Sequence, residues 1–164
     1  MSEPRGLHFQ KQVDRSYEAV RDLLYREPLA VLQRATTSAV TRAISPVATL
    51  HAQVGGVEIS VDVRVRITRT RDQPLPSGAP VTCLDLSLEA TSAPALFPAM
   101  LAELSARPVS ANRTLLELDG SYWLPFGALG NAIDAAVGHR VAEPVVRRLL
   151  ADLAAQIQAE VAPG

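Results

Sequence analysis

Residues 55–68 read GGVEISVDVRVRIT. Val57, Ile59, Val61, Val63, Val65 and Ile67 share one parity, and Glu58, Ser60, Asp62, Arg64, Arg66 and Thr68 take the other. Side chains alternate across a strand, so this run predicts one antiparallel strand with an apolar face and a wet face. Gly55-Gly56 ahead of it is a tight-turn signal, which makes Val47–Val54 the hairpin partner.

The same parity rule organises the flanking chain. After the Pro/Gly-rich loop 72–80, Val81 to Thr91 reads as the return strand, with Leu84, Leu86, Leu88 and Ala90 inward. Cys83 falls outward beside the loop and reads as inert, while Asp85, Ser87 and Glu89 face water. Leu96 to Arg107 puts Met100, Ala102, Leu104 and Ala106 in phase, and Arg113 to Trp123 does so for Leu116, Leu118, Gly120 and Tyr122. At the start of the chain, Leu7, Phe9 and Val13 share a parity that includes one cation, Lys11.

Two short helices are expected after this first strand. Ser16 is a candidate N-cap ahead of Ala19, Val20, Leu23 and Leu24. Pro28 suits the first turn of the second helix, which Leu29 and Leu32 carry onward. From Gly127 to Val161 the chain is Ala-rich with apolar residues at three- and four-residue spacing, hence helical. Its apolar face shifts between Leu129–Val137 and Val145–Ile157, with Gly138 and Pro144 between. Proline removes a helix donor, so a break or kink is expected there, beside a gate for ligand. The order is strand, two helices, a meander, then a long helix. It predicts an α+β fold in one domain, residues 1–164.

The bulk numbers exclude several classes. The 164 residues carry a formal net charge of −1, which calls for neither nucleic acid nor an anionic membrane surface. One cysteine rules out an internal disulfide. No apolar run approaches a membrane span, and no secretory signal precedes Leu7, so a cytoplasmic protein is expected. His8, His51 and His139 share no metal-ligand spacing, so no metal and no cofactor are expected.

A curved sheet of this size is wider than the single helix expected to cover its centre. With only 4% aromatic residues, the remaining apolar hollow is hard to fill. Ala128, Gly130, Ala132, Ala135, Ala136 and Gly138 on the covering helix leave further room. The parity rule and the helix face name a cavity lining: Phe9, Lys11, Val61, Val63, Val65, Leu84, Leu86, Leu88, Met100, Leu104, Leu118, Tyr122, Ile133, Val137 and Val141. Lys11 could hold a ligand carboxylate, or pack its stem and hold its head in water. Tyr122 could donate to a ligand carbonyl or serve the core. Asp134 is the one carboxylate near the small-residue face; it is a general base if inward, and otherwise a surface group paired with Arg140 or Arg113. Apolar inward positions suit passive binding better than turnover, because proton chemistry needs an inward polar group with a partner.

ALFPAMLAELSARPVS (95–110) and RTLLELDGSYWLPFGALGNAIDAAVGHRVAEPVVRRLLADL (113–153) resemble the back half of START/polyketide-cyclase-like (SRPBCC) proteins of actinobacterial type. Leu96-Phe97-Pro98, Gly120-x-Tyr122 with Pro125-x-Gly127, Asp134 and Arg140-x-Ala142-Glu143 carry the likeness. Trp123-Leu124 and Pro144 depart from it. The resemblance implies a helix-grip fold: a curved antiparallel sheet of six or seven strands around a long C-terminal helix. It implies an apolar cavity for a lipid, polyketide or similar molecule. It leaves open a cyclase or dehydratase acting on that ligand, a filled domain working through protein contacts, and a homodimer.

Overall fold

A computed structural model describes residues 4–36, 47–54, 57–91, 99–123 and 131–163. Six strands form one antiparallel sheet: β1 (Arg5–Val13), β2 (Val47–Val54), β3 (Val57–Pro74), β4 (Pro80–Ala90), β5 (Met100–Ser110) and β6 (Arg113–Tyr122). Their spatial order is β1-β6-β5-β4-β3-β2, so β1 and β2 are the edges. Two short helices follow β1, namely α1 (Tyr17–Arg26) and α2 (Pro28–Thr36), and α3 (Asn131–Glu160) closes the chain. The Gly55-Gly56 turn, Leu96–Pro98 and Gly127–Gly130 lie outside the described residues.

The expected faces are in place. Val13, Leu84, Leu88, Leu104, Leu116 and Leu118 are buried in one cluster with residues of all three helices. The α1 cap is Ser16, whose Oγ accepts from the Ala19 amide at 3.4 Å. Gly120 is required by close approach. A Cβ there would lie 3.0 Å from the Leu101 carbonyl oxygen and 3.1 Å from the Ala102 Cβ.

β3 is longer than its alternation indicated, running on to Pro74. The reason is a bulge. Ile67 pairs with Leu86 and Arg69 with Asp85, so Thr68 is the extra residue. Before it, odd-numbered residues face inward; after it, even-numbered ones do. The bulge therefore turns Arg69 and Arg71 outward, onto the face that already carries Arg64 and Arg66.

The long helix corrects one expectation. It is uninterrupted from Asn131 to Glu160 with Pro144 inside it, so the chain does not break between Gly138 and Pro144. An interior proline costs about 3 kcal/mol. Burial of Val146, Leu149, Leu150, Leu153 and Ile157, at roughly 1.5–3 kcal/mol each, offsets that cost with a wide margin. The helix approaches the sheet most closely at its edges. Its close backbone neighbours among the described residues are α2, the edge strands β1 and β2, and a little of β6. The sheet curls until both edges reach the helix, and the central strands β4 and β5 stand farther off.

Arg15 fastens the helix end. Its Nε donates to the Val161 carbonyl and its Nη2 to the Gln158 carbonyl, each at 2.6 Å, which satisfies acceptors that the last turn leaves open.

Candidate functional site

Between sheet and helix, the inward residues of neighbouring strands stand in rows fixed by register. Phe9, Leu118, Leu104, Leu84 and Thr70 form one row. Leu7, Gly120, Ala102, Leu86 and Ile67 form the next, with Gly120 and Ala102 giving it a thin middle. Tyr122, Met100, Leu88 and Val65 form a third. Ten residues of the expected lining have described side chains. Eight of them, Val65, Leu84, Leu86, Leu88, Met100, Leu104, Leu118 and Tyr122, are buried. Phe9 is partly buried and Lys11 is exposed. The side chains of Val61, Val63, Ile133, Val137, Val141 and Asp134 lie outside the described ones.

In all three rows the central residues are filled. Leu84, Leu104 and Leu118 are at most 1% exposed, so protein surrounds them and they form a solid bed. Phe9 and Ile67, toward the two sides, keep partial exposure. At the β1–α3 seam the Arg147 guanidinium lies over the Phe9 ring, 5.3 Å from its centroid. Tyr122 reaches the end of this surface. Burial pushes its hydroxyl's pKa up, and the nearby Arg5, its cross-strand partner, partly offsets that.

Sequence reasoning missed one inward polar cluster. Thr82 is wholly buried. Its hydroxyl bonds Tyr17 Oη at 2.8 Å and Asp72 Oδ1 at 2.8 Å, and Arg21 Nη2 reaches Asp72 Oδ2 at 2.6 Å. Burial raises the Asp72 pKa, but hydrogen bonds from Arg21 and Thr82 together outweigh it and hold the carboxyl below its usual range. The network ties α1 to the β3–β4 hairpin, and every member is satisfied from within. Its signal was the Thr68 phase shift, which brings Asp72 to the inner side.

On the outer face Cys83 is buried beneath Gln73, whose Nε2 lies 3.3 Å from Sγ. Burial pushes the thiol up to about 11, so it is a poor nucleophile. His8, Glu117 and Asp119 offer ligand atoms within 4.8 Å of one another. Each imidazole nitrogen already faces a carboxylate, Nδ1 to Asp119 at 2.7 Å and Nε2 to Glu117 at 3.4 Å, so both ring nitrogens have partners within the protein. Arg113 pairs with Asp14 at 3.2 Å.

No protein-family model and no curated protein matches this chain. Solved structures do. Norcoclaurine synthase from Thalictrum flavum, in complex with dopamine and hydroxybenzaldehyde, aligns with a TM-score of 0.52 at 8% identity, covering 98% of this chain and 90% of its own. A protein from Thermus thermophilus aligns with a TM-score of 0.50 at 15% identity, covering 94% and 98%. An aromatase/cyclase from a Streptomyces species aligns with a TM-score of 0.48 at 16% identity, covering 96% and 93%.

This chain has the helix-grip fold of START/polyketide-cyclase-like proteins. At these identities the likeness concerns fold alone. No helix among the described residues is long and apolar enough to cross a membrane. In a helix grip the space between sheet and helix is the natural place for a ligand. Here the described inward face is mostly apolar, its polar side chains being the Tyr17–Thr82–Asp72 cluster, Thr70, Thr114 and the terminal Tyr122.

Proposed function

We propose that this helix-grip domain binds an apolar small molecule, a lipid, polyketide or similar compound, between the curled sheet and the first half of α3. The observation that carries the reading is the grip itself. The helix closes on both edge strands and stands back from β4 and β5, over an inward surface that is almost wholly aliphatic. Leu84, Leu104 and Leu118 form the solid bed. Leu86, Leu88 and Met100 extend it, and the ligand space lies beside it, toward Phe9, Val65 and the sequence positions Val61, Val63, Ile133, Val137 and Val141. Ala132, Ala135, Ala136 and Gly138, small residues in the sequence of the first half of α3, suit a ligand there. Tyr122, beside Arg5, marks the polar end, and Lys11 stands at the rim as a cation.

Binding rather than turnover is favoured because Asp72, the inward carboxylate of β3, is spent on Arg21 and Thr82. An apolar fluorescent probe should bind with a Kd on the order of micromolar and be displaced by fatty acids or polycyclic compounds. Ala136→Trp should abolish that binding and leave the far-ultraviolet circular dichroism spectrum intact. Absence of probe binding to the wild type, or unchanged binding by the folded variant, would overturn this placement. Chemical conversion of a displacing ligand would instead make the domain an enzyme.

A further inference from the structure

The inward parity of β1 is not buried evenly. Leu7 and Val13 are buried, Phe9 is partly buried, and Lys11 is exposed. The seam where β1 meets α3 is thus closed at Leu7 and at Val13 and open between them.

Two contacts fix what the helix sets against that opening. Arg147 lies over the Phe9 ring, and Arg15 reaches the carbonyls of Gln158 and Val161. Phe9 to Arg15 spans about 20 Å of extended chain, and Arg147 to Gln158 rises about 17 Å along the helix, so α3 runs beside β1 in the same direction. Lys11 stands about 6.7 Å beyond Phe9 on the same face, which sets it against α3 about one turn beyond Arg147. The residue there, on the same flank of the helix, is Ala151, half-buried and too short to close the gap. Arg148 and Asp152 pair with each other at 3.0 Å and lie about 100° further round, away from β1.

The charges at the opening do not balance. Arg147 gives Nη2 to Glu143 at 3.0 Å, and the rest of its guanidinium has no partner among the described residues. Lys11 has no ion pair among the described residues. Two cations thus stand against one carboxylate, beside the ring of Phe9. Behind that ring the inward row continues through Leu118 and Leu104.

We propose that this opening is the head-group site of the grip and that its ligand is an amphiphilic acid. The carboxylate rests between Lys11 and Arg147, and the apolar body passes Phe9 into the space between sheet and helix. The inference rests on the binding of an apolar molecule proposed above and adds the ligand's class and two residues that select it. A carboxylate held here gains charge-assisted contacts and keeps water on its outer side, so it escapes the desolvation that a deeper site would impose. The position also accounts for a lysine on an apolar parity: the stem lines the opening and the ammonium receives the ligand.

Displacement of an uncharged naphthylamine fluorophore tests the idea, with dodecanoic acid and its methyl ester as competitors at about pH 8, where the acid is ionised. The two share an apolar body and differ in charge. The wild type should bind the acid about five- to tenfold more tightly than the ester, since each partly exposed ion pair contributes up to about fivefold. Lys11→Gln should cut that ratio to about twofold and leave the fluorophore's own Kd unchanged. Lys11→Arg should preserve the ratio, and Arg147→Gln should lower it. A lysine that only packs its stem would leave the ratio untouched. An acid bound no better than its ester by the wild type, or a preference that survives Lys11→Gln, would overturn the head-group site while binding of the fluorophore still upheld the apolar cavity. A fluorophore that fails to bind the wild type would remove both.

Discussion

The two faces of the central strands are built from the same strands in alternation and obey different physics. On the inner face Leu84, Leu104 and Leu118 are packed all round, so position and volume decide what is tolerated. On the outer face Arg71, Asp85, Glu103, Asp119 and His8 hold one another at the surface, where pairs contribute little and screening is strong. The lesson is that stability belongs to the inner face and the outer one is free to change. What keeps the two apart is register. β3 crosses from one phase to the other at Thr68 without exchanging its faces, which lets it carry arginines on both halves.

Removal of that residue gives the largest expected effect. Deleting Thr68 abolishes the bulge, and a one-residue slip sends a whole strand half to the opposite face. Either Arg69 and Arg71 turn inward or Val65 and Ile67 turn outward. The variant should lack a cooperative thermal transition. A folded variant with a near-native melting temperature would show that the bulge is incidental.

A smaller break uses neighbours in one strand. Val13 is fully buried and Gln12 is exposed on β1. Val13→Asp places an unpaired carboxylate in the core, which costs several kcal/mol, a large part of a domain's margin of roughly 5–15 kcal/mol. Gln12→Asp should stay within about 0.5 kcal/mol of the wild type. Urea midpoints measured side by side decide it, and equal losses would mean that the faces are misassigned.

These faces were legible in the sequence because period-two alternation is a direct imprint of burial. Val65, Leu84, Leu104 and Leu118 all occupy the parity that the alternation gives them. The bulge leaves a trace too: arginine parity changes between Arg66 and Arg69, but a phase change inside an otherwise regular run looks like the strand's end. The expected helix break is absent for a physical reason. Pro144 lowers helix stability locally, whereas Val146, Leu150, Leu153 and Ile157 are buried by the rest of the fold, and that burial outweighs the local loss. Length does not force a break either. At 30 residues α3 is about 45 Å long, yet β3 with 18 residues already extends about 59 Å, so the fold accommodates such lengths. The polar cluster Tyr17–Thr82–Asp72 joins α1 to the distant β3–β4 hairpin, and the phase shift that brings Asp72 inward says nothing of its meeting with α1.

The smallest expected effect lies on the outer face and depends on pH. His8 bonds Asp119 and faces Glu117, and that hydrogen bond first, then the two negative charges, raises the imidazole pKa above its usual 6.5. A group whose pKa is raised on folding stabilises the native state most fully below its unfolded value. The contribution is then lost as pH climbs through the folded value. His8→Gln should therefore lower the melting temperature slightly at about pH 5.5 and leave it unchanged at about pH 8.5. All three side chains are accessible to water, so added salt should shrink even the acidic-side difference. Differential scanning fluorimetry of both proteins across that range, at low and high salt, reads the sign directly. Equal melting temperatures at every pH would mean that the pair is spent on holding side chains in place. A larger loss at alkaline pH would contradict the raised imidazole pKa, and with it the stabilising contact of His8 with Asp119 and Glu117.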